Sequence, residues 1–219
     1  MKYNFSLFDP EPFRTELKRL CEKVSNCWGI KGLAQALQRD FHYFDTTCIV
    51  SRLGQTVKTH KPQGKVVMRA LHSSTSSPLK PLYCFVAGTF RGSLHERKHI
   101  VKSSVDFRKC IEQHVLGPTD MLWEIDIADL FMTGDHSHIA SIGSNVLEPP
   151  WQSPFRALLL FLLKNQFVTD GFSHARVITG SGMGLEMSGD LCDFFLLVLV
   201  RASCVRARLL ENVRYPMLV

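Results

Sequence analysis

The segment M-L-W-E-I-D-I-A-D-L-F, residues 121–131, sets carboxylates among large apolar side chains. Its polar and apolar residues alternate, and alternation over this length predicts a half-buried β-strand. Trp123, Ile125 and Ile127 fall on one face of that strand, and Asp126 falls on the other. Because burying an unpaired carboxylate is strongly unfavourable, Asp126 needs a cationic partner, a water-exposed strand edge or a metal ion. A structural ion pair and a catalytic or metal-binding carboxylate are both compatible with this pattern.

The rest of the chain has a size and composition typical of a globular protein. It has 219 residues, of which 45% are hydrophobic, with a formal net charge of +6 and a sequence pI of about 9.0. This length suits one main domain, which we place at residues 51–219, preceded by an N-terminal helical segment at residues 1–50. The basic excess permits a polyanionic partner but does not require one.

The cysteines and the N-terminus predict an intracellular protein, without distinguishing nucleus from cytoplasm. The seven cysteines are scattered with no Cys-x-x-Cys pair, which is typical of reduced thiols. No long apolar segment follows Met1, so no signal peptide is expected. The most apolar runs, residues 157–163 and 194–200, are too short to span a bilayer and predict buried helix segments.

Periodic apolar residues and end signals predict several helices. Asp9 and Pro10 begin the first helix, and Ser153 and Pro154 begin a later one. The predicted helices cover residues 9–28, 33–41, 104–115 and 153–167, and a long apolar helix extends to about residue 208.

A basic hairpin is predicted at V-K-T-H-K-P-Q-G-K-V-V-M-R, residues 57–69, where a Pro/Gly turn lies between two β-prone flanks. It carries Lys58, Lys61, Lys65 and Arg69 with almost no acid nearby. Such a hairpin is either a solvated basic surface or a phosphate-binding finger, because several cations at one tip can hold a triphosphate.

A glycine-rich loop is predicted within A-R-V-I-T-G-S-G-M-G-L-E-M-S-G-D, residues 175–190, between a short β-prone run and the long helix. A dinucleotide fingerprint would need glycine where Leu185 stands, and a phosphate-binding P-loop would need a Gly-Lys pair. The loop matches neither motif, but its glycines permit close approach of a large ligand to the backbone.

A further polar cluster, G-D-H-S-H at residues 134–138, has two histidines beside an aspartate. A His-x-His pair with a nearby acid can ligate zinc. The sequence offers no firm third ligand, so a zinc site here is a secondary hypothesis.

Three of these stretches, in this order, resemble motifs of reverse transcriptases, most closely those of Penelope-like and related retroelements. Residues 58–69 resemble the fingers motif, D-I-A-D-L-F at residues 126–131 the first palm motif, and G-S-G-M-G-L-E-M-S-G-D at residues 180–190 the second. The match covers about residues 55–200. It implies an α+β fold, with the fingers and partial palm of a right-hand polymerase and antiparallel palm strands packed on helices. It implies RNA-directed DNA polymerase activity by the two-metal route, with two Mg²⁺ ions about 4 Å apart.

The resemblance also implies roles for individual residues. Asp126 would bind both Mg²⁺ ions, and the Ile127 carbonyl would help to hold one of them. Asp129 would lie beside the incoming nucleotide, and Phe131 would block a ribose 2′-hydroxyl, so that deoxynucleotides are chosen by steric exclusion.

The implied partners are deoxynucleoside triphosphates and an RNA or DNA template-primer, without a membrane. Arg69, with Lys65 or Lys61, would clamp the triphosphate. The templating base pair would be lined by the glycine-rich loop, which consists of Gly180, Ser181, Gly182, Met183 and Gly184.

The chain departs from the family pattern in three respects. Val177 stands where the family usually has glutamine, the Y-x-D-D motif with its paired aspartates is missing, and there is no thumb. We therefore expect a truncated or decayed fingers and partial palm that is inactive alone. The alternatives are a non-enzymatic nucleic-acid-binding remnant and a fragment without present function.

Overall fold

The fold is α+β and is built on one mixed β-sheet. The computed structural model describes residues 3–5, 10–28, 50–57, 68–73, 75, 77, 79–95, 101, 103–113, 117, 127 and 129–210. Within these residues lie five strands, six α-helices and one short 3-10 turn. The α+β class expected from the sequence is therefore confirmed.

The sheet has the strand order β1-β5-β4-β2-β3. Three of its four neighbouring pairs are antiparallel, as expected, whereas β2 and β4 are parallel. A parallel pair needs a long crossover connection, and the chain between β2 and β4 supplies one that contains several helices. The strands are β1 (Tyr3–Phe5), β2 (Ser51–Val57), β3 (Met68–Ser73), β4 (Phe167–Thr169) and β5 (His174–Val177).

The predicted basic hairpin is confirmed by the pairing of β2 with β3. Their antiparallel register runs from Arg52 opposite Ser73 to Val57 opposite Met68. The predicted tip, residues 58–67, lies outside the described residues. The positions of the lysines at this tip, Lys58, Lys61 and Lys65, are therefore not described.

Most of the predicted helices are confirmed. The first helix, the helix near residue 104 and the long last helix all form, whereas the helix predicted at residues 33–41 lies outside the described residues. No helix in the described part of the chain is long and apolar enough to cross a membrane. The helices are α1 (Pro10–Trp28), α2 (Lys80–His95), α3 (Ser104–Glu112), α4 (His136–Ser144), α5 (Pro149–Lys164) and α6 (Ser188–Leu210).

The expected start of α5 at Ser153 is wrong, because the helix begins four residues earlier. Its first two positions are prolines, and the missing N–H groups of Pro149 and Pro150 would have no partner inside the helix anyway. Pro154 therefore lies inside the helix. The helix also ends at Lys164, earlier than expected, because Phe167 begins β4.

The main hydrophobic core lies among the helices. Helix α5 packs against α1 and α4, and α2 packs against α6. Phe90 of α2 is fully buried, and its ring centroid lies 5.8 Å from that of Phe155 and 5.2 Å from that of Phe194. These three rings join α2, α5 and α6 into one unit.

Residues 3–5 and 10–28 take part in the same fold. Strand β1 pairs with β5 at the edge of the sheet, which the sequence did not predict. On α1, the ring of Phe13 lies 5.6 Å from that of Phe161 in α5. The domain boundary placed at residue 50 stays a prediction.

Replacing Phe90 with alanine is expected to lower the free energy of unfolding by about 3–5 kcal/mol, because the change leaves a cavity between three helices. Chemical denaturation of the purified chain measures this loss. Phe107→Ala is the matched control, since Phe107 on α3 is 52% exposed and should cost less than about 0.5 kcal/mol. Similar losses for both variants would contradict the core described here.

Candidate functional site

The expectation that the strand at residues 121–131 reaches Phe131 is wrong. Leu130–Met132 is a 3-10 turn, because Asp129 before it adopts φ 55° and ψ 31°, a left-handed conformation that ends an extended strand. Aspartate is among the residues that tolerate this conformation best. Residues 121–126, including Asp126, lie outside the described residues. Ile127 is 40% exposed.

The loop at residues 180–184, which we call the glycine loop, joins the turn after Asp129. The Ser181 N–H donates to the Phe131 carbonyl at 2.6 Å, and the Gly180 N–H donates to the Gly134 carbonyl at 2.9 Å. Two of the stretches singled out from the sequence are therefore hydrogen-bonded to each other.

Strand β3, which continues from the third stretch, contacts the glycine loop three residues after that stretch ends. The His72 N–H donates to the Met183 carbonyl at 2.7 Å. A Cβ on Gly182 would lie 1.6 Å from His72 Nδ1, and one on Gly184, at φ +105°, would lie 2.7 Å from the His72 carbonyl oxygen. The close approach that the glycines permit is thus made by this protein's own strand.

Buried polar side chains hold the glycine loop from the other side. Gln166 Oε1 accepts the Gly182 N–H at 2.7 Å, while Gln166 Nε2 donates to the Leu163 carbonyl at 3.0 Å. The Ser188 hydroxyl donates to the Gly182 carbonyl at 2.7 Å and lies 2.6 Å from the Ser181 hydroxyl. Because a buried polar group without a partner is costly, this network restrains the loop.

The Asp135–His138 cluster hydrogen-bonds to the same loop and caps the start of α4. Asp135 Oδ1 accepts the N–H groups of Ser137 and His138 at 2.8 and 3.0 Å, and the His138 N–H holds the pKa of this carboxyl below its usual range. His136 Nε2 lies 2.9 Å from the Gly180 carbonyl oxygen, and burial lowers the pKa of His136. Among the described residues, no three His, Cys, Asp or Glu side chains converge on a metal position. The zinc hypothesis is therefore not supported.

The structure does not bring Arg69 to the glycine loop. Successive side chains on a strand point to opposite faces, so Arg69 lies on the face of β3 opposite to His72, where it pairs with Thr56 and is exposed. The other two cations assigned to the triphosphate, Lys61 and Lys65, lie outside the described residues.

Phe131 is half-buried beside a small, mostly apolar cleft under the glycine loop. One wall of the cleft comes from α6. Burial raises the pKa of the Cys192 thiol there to about 12, so this thiol stays protonated well above neutral pH. The cleft is lined by Leu130, Phe131, Thr133, Ile139, Ser181, Leu191, Cys192 and Phe195.

Several residues that shape the site were not identified from the sequence. His72 and Gln166 were not singled out, and His136 was considered only as a zinc ligand. Ser188 was visible only as a member of the loop motif. Of the residues that shape the site, only the glycines could be recognised from the sequence pattern, because only glycine fits where two backbones approach this closely.

The sequence matches no protein-family model, and no curated protein matches it.

Gly182→Ala is expected to destabilise the protein by about 1–3 kcal/mol, because the new methyl group overlaps the His72 ring. Denaturant unfolding measures this. Gly88→Ala is the matched control: Gly88 lies in α2 with open space around its Cβ direction, so the change should stabilise by about 0.5–1 kcal/mol. His72→Ala in the Gly182→Ala background should cost less than in the wild type. Additive losses would show that the two residues do not touch.

The stability of the protein is expected to fall by about 3 kcal/mol as the pH decreases from about 6.5 to about 4. Burial lowers the pKa of His72 from 6.5 to about 4, so the unfolded chain binds a proton in this window and the folded chain does not. This contribution is fully present above pH 6.5, and His136 adds to it in the same direction. Urea unfolding across this range should show a shallower pH dependence in His72→Gln. An unchanged slope would exclude His72 as its source.

Proposed function

We propose that this chain forms the fingers and part of the palm of an RNA-directed DNA polymerase. The observation that supports the proposal is the meeting of three stretches that are far apart in sequence. Backbone hydrogen bonds connect the glycine loop to Phe131, the last residue of the first palm motif, and to His72 of β3, three residues after the fingers motif. In the polymerases that these motifs resemble, the same three stretches surround one incoming nucleotide.

The proposed ligand of this site is a deoxynucleoside triphosphate opposite a templating base. Ser181 and Met183 already use their backbone groups within the protein, so the accessible part of the glycine loop, Met183 and Gly184, would offer a rigid surface to a base pair. Phe131, on the next segment, would exclude a 2′-hydroxyl. Asp129 is exposed on the same turn.

The proposed metal is Mg²⁺, because carboxylate and carbonyl oxygens are its preferred protein ligands. Asp126 and the Ile127 carbonyl are the proposed donors. A complete two-metal site needs further carboxylates, and these 219 residues contain no Y-x-D-D motif. We therefore propose that the 219 residues bind nucleotide and template without transferring nucleotides by themselves.

A second candidate is nucleic-acid binding without catalysis. Arg52 of β2 pairs with Ser73 of β3, and Arg69 lies four residues before Ser73 on β3. Arg52 and Arg69 therefore lie on the same exposed face of the β2–β3 hairpin. This spacing is about 13 Å along the strand. Two cations so placed suit the phosphates of a strand, and the net charge of +6 has the right sign.

Binding of a deoxynucleoside triphosphate in the presence of Mg²⁺, measured by titration calorimetry, tests the first proposal. We expect binding that weakens about tenfold in Asp126→Asn, because the change removes a charged ligand of the metal. Arg108→Ala is the matched control, since Arg108 is an exposed arginine on α3 that pairs with Glu112. Phe131→Val should raise the affinity for a ribonucleoside triphosphate and leave the affinity for a deoxynucleoside triphosphate unchanged.

Two results would contradict the polymerase proposal. One is nucleotide binding that Asp126→Asn and Arg108→Ala change equally. The other is the absence of nucleotide binding combined with retained RNA binding that Arg69→Ala weakens, which would support the second candidate. Primer extension by the 219 residues that disappears in Asp126→Ala would contradict the expected inactivity.

A further inference from the structure

The turn between β4 and β5 exposes an aromatic ring at one end of the sheet. Phe172 is 98% exposed, more than any other large apolar side chain among the described residues. The turn lies before β5 and the glycine loop lies after it, so the two features stand at opposite ends of this strand. The site proposed for the nucleotide does not account for Phe172.

Hydrogen bonds within the turn hold the backbone that carries this ring. Asp170 Oδ1 accepts the N–H groups of Phe172 at 2.9 Å and Ser173 at 2.8 Å. The Thr169 hydroxyl donates to the Ser173 carbonyl at 2.8 Å and accepts the Gly171 N–H at 3.0 Å. Gly171 in this turn has φ +99°, a left-handed backbone conformation that glycine adopts without steric cost. The backbone below the ring therefore loses little freedom when a ligand binds.

A row of polar side chains crosses the sheet next to this turn. The strand registers place Ser73 beside Arg52, Arg52 beside Thr169, and Thr169 beside His174. Paired residues share a face, and strands lie about 4.8 Å apart, so the row spans about 14 Å. Arg52, Ser73 and His174 are exposed. The row offers a guanidinium, a hydroxyl and an imidazole to one ligand.

We propose that Phe172 and this row form a contact site for single-stranded nucleic acid, with the ring stacked on an unpaired base and Arg52 on a phosphate. A single ring suffices to stack on a base, whereas a membrane-binding surface needs a broad apolar face. The neighbouring Arg69, on the same face as Arg52, continues the cationic surface along the hairpin. The choice of nucleic acid as ligand rests on the proposed function.

Fluorescence anisotropy of a short labelled oligothymidylate, an oligouridylate and a duplex of equal length tests this site with the whole chain. We expect the single strands to bind more tightly than the duplex. Phe172→Ala should weaken single-strand binding about tenfold and leave the salt dependence unchanged, because stacking releases no counterions. Phe172→Trp should keep the affinity. Arg52→Ala should instead lower the slope of log affinity against log salt by about 0.7.

Phe107→Ala is the matched control, since it removes another exposed phenylalanine from a different surface. Single-strand binding that Phe172→Ala leaves intact, or that Phe107→Ala weakens equally, overturns this inference and not the proposed function. Absence of any nucleic-acid binding by the wild type overturns both. Phe172-dependent binding to anionic vesicles, with no Phe172 effect on oligonucleotides, would assign the ring to a membrane surface instead.

Discussion

The contact between the His72 ring and the Gly182 backbone fixes how β3 approaches the glycine loop. No side chain fits at residue 182, and the same strand hydrogen-bonds to the Met183 carbonyl. Interiors pack at near-crystalline density, so a misfit here could not be absorbed locally. Gln166 links the loop to the helical core, because its side-chain amide hydrogen-bonds to both the loop and the end of α5. The glycine loop therefore ties the hairpin and the turn after Asp129 to the helical core.

Several local elements of the fold could be predicted from the sequence, although helices α2 and α4 were not. The Pro/Gly turn at Pro62 and Gly64 marked a hairpin, and the periodic residues of α1 and α6 marked helices, because such signals lie within a few residues of one another. The short strand β1 could not be predicted. Its three residues have a defined place only when β5 lies beside them.

The site was only partly predictable, because its restraints join distant parts of the chain. The glycine loop was recognised, but its partner His72 carries no motif of its own and acquires its role from packing. Similarly, Asp129 was expected within a strand, yet its left-handed backbone turns the chain towards Ser181. Alternation describes a strand well but contains no information on where an aspartate will end it.

In the described part of the chain, the β2–β3 hairpin is attached to the rest of the sheet at its base. Among the described residues, β2 pairs with β4 at Ser51 and Arg52 only. Residues 53–57 continue for about 17 Å, and β3 is their one neighbour among the described strands. The glycine loop holds β3 at His72, close to this base. A force on the part of the hairpin beyond this base would therefore be resisted at His72 and at the backbone of residues 182–184.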